Sequence, residues 1–298
     1  MTNSTHSSPR YGPSVWLVRA RRAVGVGLAV ALFASVTPVQ AQEPYIPNFW
    51  DMKEQLPKPN VSALPRLRFL TTTDFPPFNF IDGNGRLSGF HVDLARAICR
   101  ELQIEPKCQI QALPWNELEG AMRGGDGEAL LAGLPATADS RKLYAFSRPY
   151  LRFPARFIVR RLSDLKQLDA EAIAGKRVGV LAGSAHEQLL RDYFPDAQPV
   201  TFTRQDWLYR DLKDSKIDAA FGDGMRMGFW LSGSDAAGCC RFAGGPYMAP
   251  DYLGDGLSVA VKADTPELAA ALDYALREIT AKGTFAELYL RYFPVSFF

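Results

Sequence analysis

Between Gly175 and Asp223 the chain reads GKRVGVLAGSAHEQLL and later IDAAFGD. A β-run breaks at a glycine into a helix start, and a second β-run ends on a carboxylate. Gly183 permits the sharp turn out of the strand, and Ser184 is a good N-cap. Glu187, three residues on, completes a capping box, so the remaining N–H groups of that helix start face outward, where anions bind. Asp223 lies just past the alternating residues Ile217, Ala219 and Phe221. An open α/β sheet puts its ligand contacts there, outside the carboxyl ends of its strands. An ammonium is the natural partner of that carboxylate, so the pair suits the two poles of a small zwitterion.

Residues 1–41 carry Arg10, Arg19, Arg21 and Arg22 and no acid, then an apolar stretch from Ala23 to Val39. Val39-Gln40-Ala41 fits a signal cleavage site, so an exported protein is expected to begin near Gln42. Ser35, Thr37 and Pro38 break the apolar stretch below the length that a membrane anchor needs. Without those arginines the formal charge of +2 becomes about −2, and no nucleic-acid partner is expected.

Export permits disulfides among the four cysteines. Cys99 closes a helical pattern and Cys108 opens the next β-run, so a structural staple between them is expected. Cys239 and Cys240 are adjacent, and three states are open to them: a vicinal disulfide, a reduced pair or an intermolecular bond. The histidines His6, His91 and His186 form no ligand-spaced cluster with them, so neither metal nor cofactor is expected.

The segment 42–66 is rich in proline and polar residues without a period, and is expected as an extension packed on the surface or partly disordered. From Leu67 a rhythm of β-run, helix (His91 to Leu102), β-run (Cys108 to Ala112), helix (Asn116 to Met122) and the buried run EALLAGL implies a mostly parallel sheet. A second series follows: FIVRR, KRVGVLAGS, PVTFT with a helix over Gln205 to Lys213, and IDAAFGD. Thr265 is expected to cap, and Pro266 to open, a long helix ended by Gly283, with Thr284 and Glu287 forming another capping box. Two crossings, near Leu151 to Pro154 and near Met248 to Gly254, imply a hinge over a cleft. The expected division is lobe 1 over 67–153 and 251–298, with lobe 2 over 154–250.

Thr137, Asp139 and Arg141 in GLPATADSRKLYAFSRPY suggest a helix start with a guanidinium able to grip a carboxylate. Phe75 in a proline-bounded turn and Trp115 beside a helix start are candidate walls for stacking. Each has an ordinary alternative: a solvated arginine for Arg141, core filling for the aromatics, and a plain helix cap for Asp223.

From Leu67 to Phe293 the chain resembles the periplasmic solute-binding proteins of polar amino-acid ABC importers, the histidine and lysine/arginine/ornithine receptors among them. TTTDFPPFNF, LSGFHVDLARAIC, YAFSRPY, GKRVGVLAGS, RQDWLYRDLKDSKIDAAFGD and AKGTFAELYLRYF carry the likeness. It implies a type II periplasmic binding-protein fold, two α/β lobes joined by a two-stranded hinge around the ligand cleft, and a permease partner in the inner membrane. It also implies roles: Phe75 and Trp115 as aromatic walls, Arg141 and Ser184 for the ligand α-carboxylate, Asp223 for its ammonium, with Leu181 in the same set, and Cys99–Cys108 as the disulfide of some members. The chain departs from the pattern in Leu134-Pro135-Ala136 before the carboxylate-binding helix, in the four-residue spacing of Thr137 and Arg141, in Thr72 where receptors of cationic amino acids often carry aspartate, and in His91 for the first aspartate of GFDVDL. A cationic ligand thereby loses its expected partner. The leading expectation is a binding protein without catalytic residues. The alternatives are an accessory or sensory binding protein and a periplasmic enzyme resembling cyclohexadienyl dehydratase, for which His186 and Glu187 are the candidate acid or base groups.

Overall fold

The computed structural model describes residues 45–166, 168–293 and 296–298, so the leader and its cleavage site at Ala41 lie outside the described residues. Strand β1 (Leu67–Thr71) leads into a small three-stranded sheet of β2 (Asp74–Phe75), β3 (Asn79–Ile81) and β4 (Leu87–Ser88). Helix α1 (Phe90–Glu101), β5 (Cys108–Ala112), α2 (Trp115–Gly124), β6 (Ala129–Leu130), the one-turn helix α3 (Ser140–Leu143) and β7 (Tyr144–Phe146) follow. The second series is β8 (Ala155–Arg160), α4 (Ala170–Ile173), β9 (Arg177–Leu181), α5 (Ala185–Tyr193), β10 (Gln198–Phe202), α6 (Gln205–Lys213), β11 (Ala219–Asp223), α7 (Gly224–Ser232) and β12 (Cys240–Tyr247). The chain then returns through α8 (Pro250–Leu253), β13 (Ala260–Lys262), α9 (Pro266–Ala281) and α10 (Thr284–Tyr292).

Two five-stranded sheets result, ordered β5-β1-β6-β13-β7 and β10-β9-β11-β8-β12. Both are mixed. β1 runs parallel to β5 and β6, but β13, arriving from the far end of the chain, is antiparallel to β6 and β7. In the second sheet β9 is parallel to β10 and β11, whereas β8 and β12 are antiparallel additions. Helical crossovers force the parallel pairs, and the crossing segments supply the strands that enter from the other direction. Residues 151 and 257 of the two crossings pair as an antiparallel bridge, which ties the connections together.

Most expected elements form within a residue or two. The buried run 128–134 yields only the short strand β6. Two caps differ from expectation. The Thr265 hydroxyl donates to the Lys262 carbonyl at 2.9 Å instead of accepting from its helix. Gly283, left-handed at φ 78°, is the N-cap of α10, so Thr284 is already helical and no capping box closes on it. Glycine adopts that φ without the Cβ clash that threonine would meet.

Cys99 and Cys108 are bonded, stapling α1 to β5, and Cys239 and Cys240 are bonded to each other. The extension lies on the first sheet's core: Trp50 is buried there, with Ile46, Phe49, Leu56, Val61 and Leu64 packed alongside. Among the described residues no helix is long and apolar enough to cross a membrane.

Candidate functional site

The exits of β1, β5 and β6 are neighbours in the sheet, and Phe75, Trp115 and Arg141 follow them in turn. Phe75 is half-buried, stacked on Phe78 with ring centroids 4.7 Å apart. Its ring edge lies so close to Gly133 that an added Cβ there would sit 3.0 Å from it. Trp115 is the first residue of α2 and 49% exposed, a large aromatic surface with little core to fill. It borders a cavity of about 160 Å³ with Asn116, Leu118, Leu134 and Tyr144.

Arg141 stands on α3, half-exposed, with its guanidinium 3.5 Å from the Asp255 carboxylate and over the Phe146 ring at 5.5 Å. The Thr137 hydroxyl accepts from the Ser140 N–H at 3.2 Å, and the Ser140 hydroxyl donates to the Pro135 carbonyl at 2.7 Å. The N–H groups of Thr137, Ser140 and Arg141 are all bonded within this turn. On this face the Arg141 guanidinium is the charged donor available to a carboxylate. Pro135, which lacks an N–H, begins this self-contained turn.

In the second sheet, β9 and β11 are adjacent and parallel, so the turns that follow them meet. Gly183 has φ 69°, and Ser184 caps α5 by accepting from the Glu187 N–H at 3.1 Å. Glu187 reaches back to the Gly183 N–H at 2.8 Å and pairs with Arg191 at 2.7 Å, which lowers its pKa. The capping box thus closes one residue earlier than its usual form. The N–H groups of Ala185 and His186 are left without an acceptor inside the helix. Asp223 caps α7, one oxygen accepting from the Arg226 N–H at 2.8 Å. Leu181, Ser184, His186, Gln205, Asp223 and Arg226 line one cavity of about 250 Å³.

His186, expected only as a candidate acid or base of the enzyme alternative and otherwise as a solvated first-turn residue, lines this cavity, with its ring partly buried and 6.4 Å from Phe221. Burial lowers its pKa against the opposing pull of Asp223, with Arg226 adding to the lowering. Only the packing of α5 on β11 exposes this, since nothing in the sequence marks which face of the first turn is inward.

The departures at Thr72 and His91 belong together. Both are buried at the β1 exit and the start of α1. The Asn79 amide donates to the Thr72 hydroxyl at 2.7 Å, so its oxygen must accept, and it does so from His91 Nδ1 at 2.7 Å. The Tyr150 hydroxyl then donates to His91 Nε2 at 2.8 Å. Burial pushes His91 down to about 3, so the whole chain of bonds is neutral. Among the described residues no group of three or more metal-ligating side chains assembles.

The candidate residues therefore fall into two half-sites, one beyond each sheet. Leu181, Ser184 and Asp223 line one cavity together, whereas on the other side only Trp115 borders the cavity and Phe75 and Arg141 stand beyond the neighbouring strand exits.

Residues 67–295 match bacterial extracellular solute-binding proteins, family 3. The chain is 30% identical over 234 residues to putative ABC transporter arginine-binding protein 2 of Escherichia coli, covering 78% of this chain and 93% of that protein. It is 29% identical to the lysine/arginine/ornithine-binding periplasmic protein of the same organism, over 79% of this chain and 90% of the other. Among solved structures it resembles the L-cystine solute receptor of Neisseria gonorrhoeae in its unliganded open conformation, with a TM-score of 0.65 at 19% identity, over 76% of this chain and 92% of that one. It also resembles the second substrate binding domain of a putative amino acid ABC transporter from Streptococcus pneumoniae, with a TM-score of 0.63 at 22% identity, over 76% of this chain and all of that one. The fold is that of the type II periplasmic binding proteins.

Proposed function

The chain belongs to the bacterial extracellular solute-binding proteins of family 3, and on that footing we propose that it is a periplasmic receptor for an amino acid or related zwitterion, which it delivers to an ABC permease. One observation carries the reading: the two lobes present half-sites of opposite polarity, a guanidinium with aromatic walls on one and a carboxylate beside free helix N–H groups on the other. A guest that touches both selects the closed state, and each charge-assisted hydrogen bond contributes about 1.5–3 kcal/mol. In this reading Arg141 and the α5 start take the carboxylate, Asp223 the ammonium, and Phe75 and Trp115 the side chain.

The relatives named for arginine and for lysine/arginine/ornithine suggest the amino-acid class. The neutral network at Thr72, Asn79 and His91 places no negative charge beneath Phe75, which weighs against a strongly cationic side chain. An enzyme on the same scaffold would need a free acid or base. Glu187 is consumed by Gly183 and Arg191, which leaves His186 beside Asp223 as the remaining group.

A thermal-shift screen of the exported form against amino acids, polyamines and small carboxylates tests this. A solute at a hundred times its dissociation constant adds about 2.7 kcal/mol of stability. A rise with amino acids only is the expected outcome. No rise across the panel favours an accessory role, and consumption of the solute that His186→Ala abolishes favours the enzyme.

A further inference from the structure

The family match stops at residue 295 and begins at 67, yet the segments on either side of it pack against each other. The Ser296 hydroxyl donates to the Tyr45 carbonyl at 2.8 Å. The Phe298 ring meets Tyr45 at 6.3 Å and Phe49 at 5.7 Å between centroids. The same stretch of extension holds the first crossing: Arg152 lies over Phe49 at 5.4 Å, Arg148 over Trp50 at 5.6 Å, and Arg148 pairs with Glu54 at 2.8 Å.

Phe297 carries this assembly to the other lobe. Its ring is buried against Tyr289 and Phe293 of the first lobe, 5.7 and 5.5 Å away. Its carbonyl oxygen accepts from Nη1 of Arg156 on β8 at 3.1 Å, across the lobes. Arg156 is 8% exposed and stacked over Phe242 of β12 at 4.5 Å. Among the described residues its guanidinium finds that one acceptor, and its Nε finds none. Gly224, beside Asp223, admits the contact: an added Cβ would stand 3.2 Å from the Phe297 oxygen. A buried guanidinium held by a single carbonyl is costly to strand. Any movement that separates Arg156 from Phe297 therefore carries that cost.

We propose that Arg156 is a positioning residue: by gripping the Phe297 carbonyl, which the extension clamps in turn, it fixes the resting angle between the two half-sites and favours the separated form. If closure on a solute parts Arg156 from Phe297, the strap opposes it, lowering the closed fraction and with it the apparent affinity. The inference rests on the clamshell reading of the two lobes, but its test needs no solute.

The described cysteines are all bonded, so nitroxide labels can be placed through Glu119→Cys and Asp206→Cys, one exposed residue at each half-site. Interlobar distances are then read by pulsed electron resonance on the exported form. Arg156→Met keeps the stem packed on Phe242 and removes the donor. It should raise the short-distance population about tenfold, and Arg156→Lys should restore most of the separated form. Tyr45→Ala with Phe49→Ala leaves Arg156 intact and should shift the same population the same way, less strongly. An unchanged distance distribution in either folded variant overturns the proposal, as does a lysine variant that behaves like the methionine one. If amino acids fail to bind while the distances shift as expected, the solute reading fails and the strap stands.

Discussion

The two half-sites are built alike and held differently. Each arises where strands of a sheet exit side by side, β5-β1-β6 in one lobe and β9-β11 in the other. In the second lobe Ser184 and Asp223 are locked as helix caps, so their orientation is set before any solute arrives. In the first lobe Arg141 rides a one-turn helix, half-exposed, and spends its charge on Asp255 of the second crossing. The second-lobe groups, Asp223 for the ammonium and the α5 start for the carboxylate, are preorganised, whereas Arg141 must exchange one partner for another. Beside the wall at Phe75, however, lies a buried, fully bonded polar cluster, Thr72, Asn79, His91 and Tyr150, with the His91 ring 6.1 Å from that of Phe75.

The largest test of this contrast is acid. His91 has its pKa depressed from 6.5 to about 3 in the folded protein, so folding holds it neutral. Its contribution is complete above the unfolded value and is lost as pH falls from about 6.5 toward 3, amounting to about 4–5 kcal/mol by linkage. Hydrogen exchange at pH 4 should accelerate first in α1 and β1, and His91→Asn should flatten the acid limb of the stability curve. His186 is depressed as well, so some loss of the same sign is expected in the second lobe. Equal acceleration in both lobes would erase the distinction drawn between them.

Replacing both Cys99 and Cys108 by serine should cost about 2–3 kcal/mol in chemical denaturation, because the closed loop is short. The loss should fall on the first lobe. Next comes Asp223→Asn, which keeps a capping oxygen and so should change the melting temperature little. It should weaken an amine-bearing solute about 100-fold in calorimetry and a simple carboxylate hardly at all. Equal weakening of both would remove Asp223 from the ammonium role. The smallest effect is expected of Asp255→Asn. Releasing Arg141 from a half-exposed ion pair is worth about 0.2–1 kcal/mol, so affinity should rise by a few-fold at most, and less at high salt.

Much of the second half-site was legible from local chemistry. Ser184, Glu187 and Gly183 sit within five residues of one another, and a cap needs no partner beyond that distance. The Cys99 and Cys108 staple was legible for the same reason, since a helix end and the following strand start are neighbours in the chain. The burial of His186 was not, because it depends on how α5 meets β11. Nor was the antiparallel entry of β8, β12 and β13, which follows from the route of the crossings. The adjacent cysteines left three states open, and their bond is a fact of the folded chain. A proline-rich stretch without a period gives no clue that Trp50 enters a core completed by the other end of the chain.

The sequence by itself determined the alternation of strand and helix, the glycine turns, the cap at Ser184 and the kind of groups that end the strands, because these depend on contacts within a few residues. Only the tertiary structure decided what those groups face: Arg141 against Asp255, His186 against Asp223, Arg156 against Phe297. Burial and charge pairing join residues far apart in the chain, and their energies exist only once the sheets have brought those residues together.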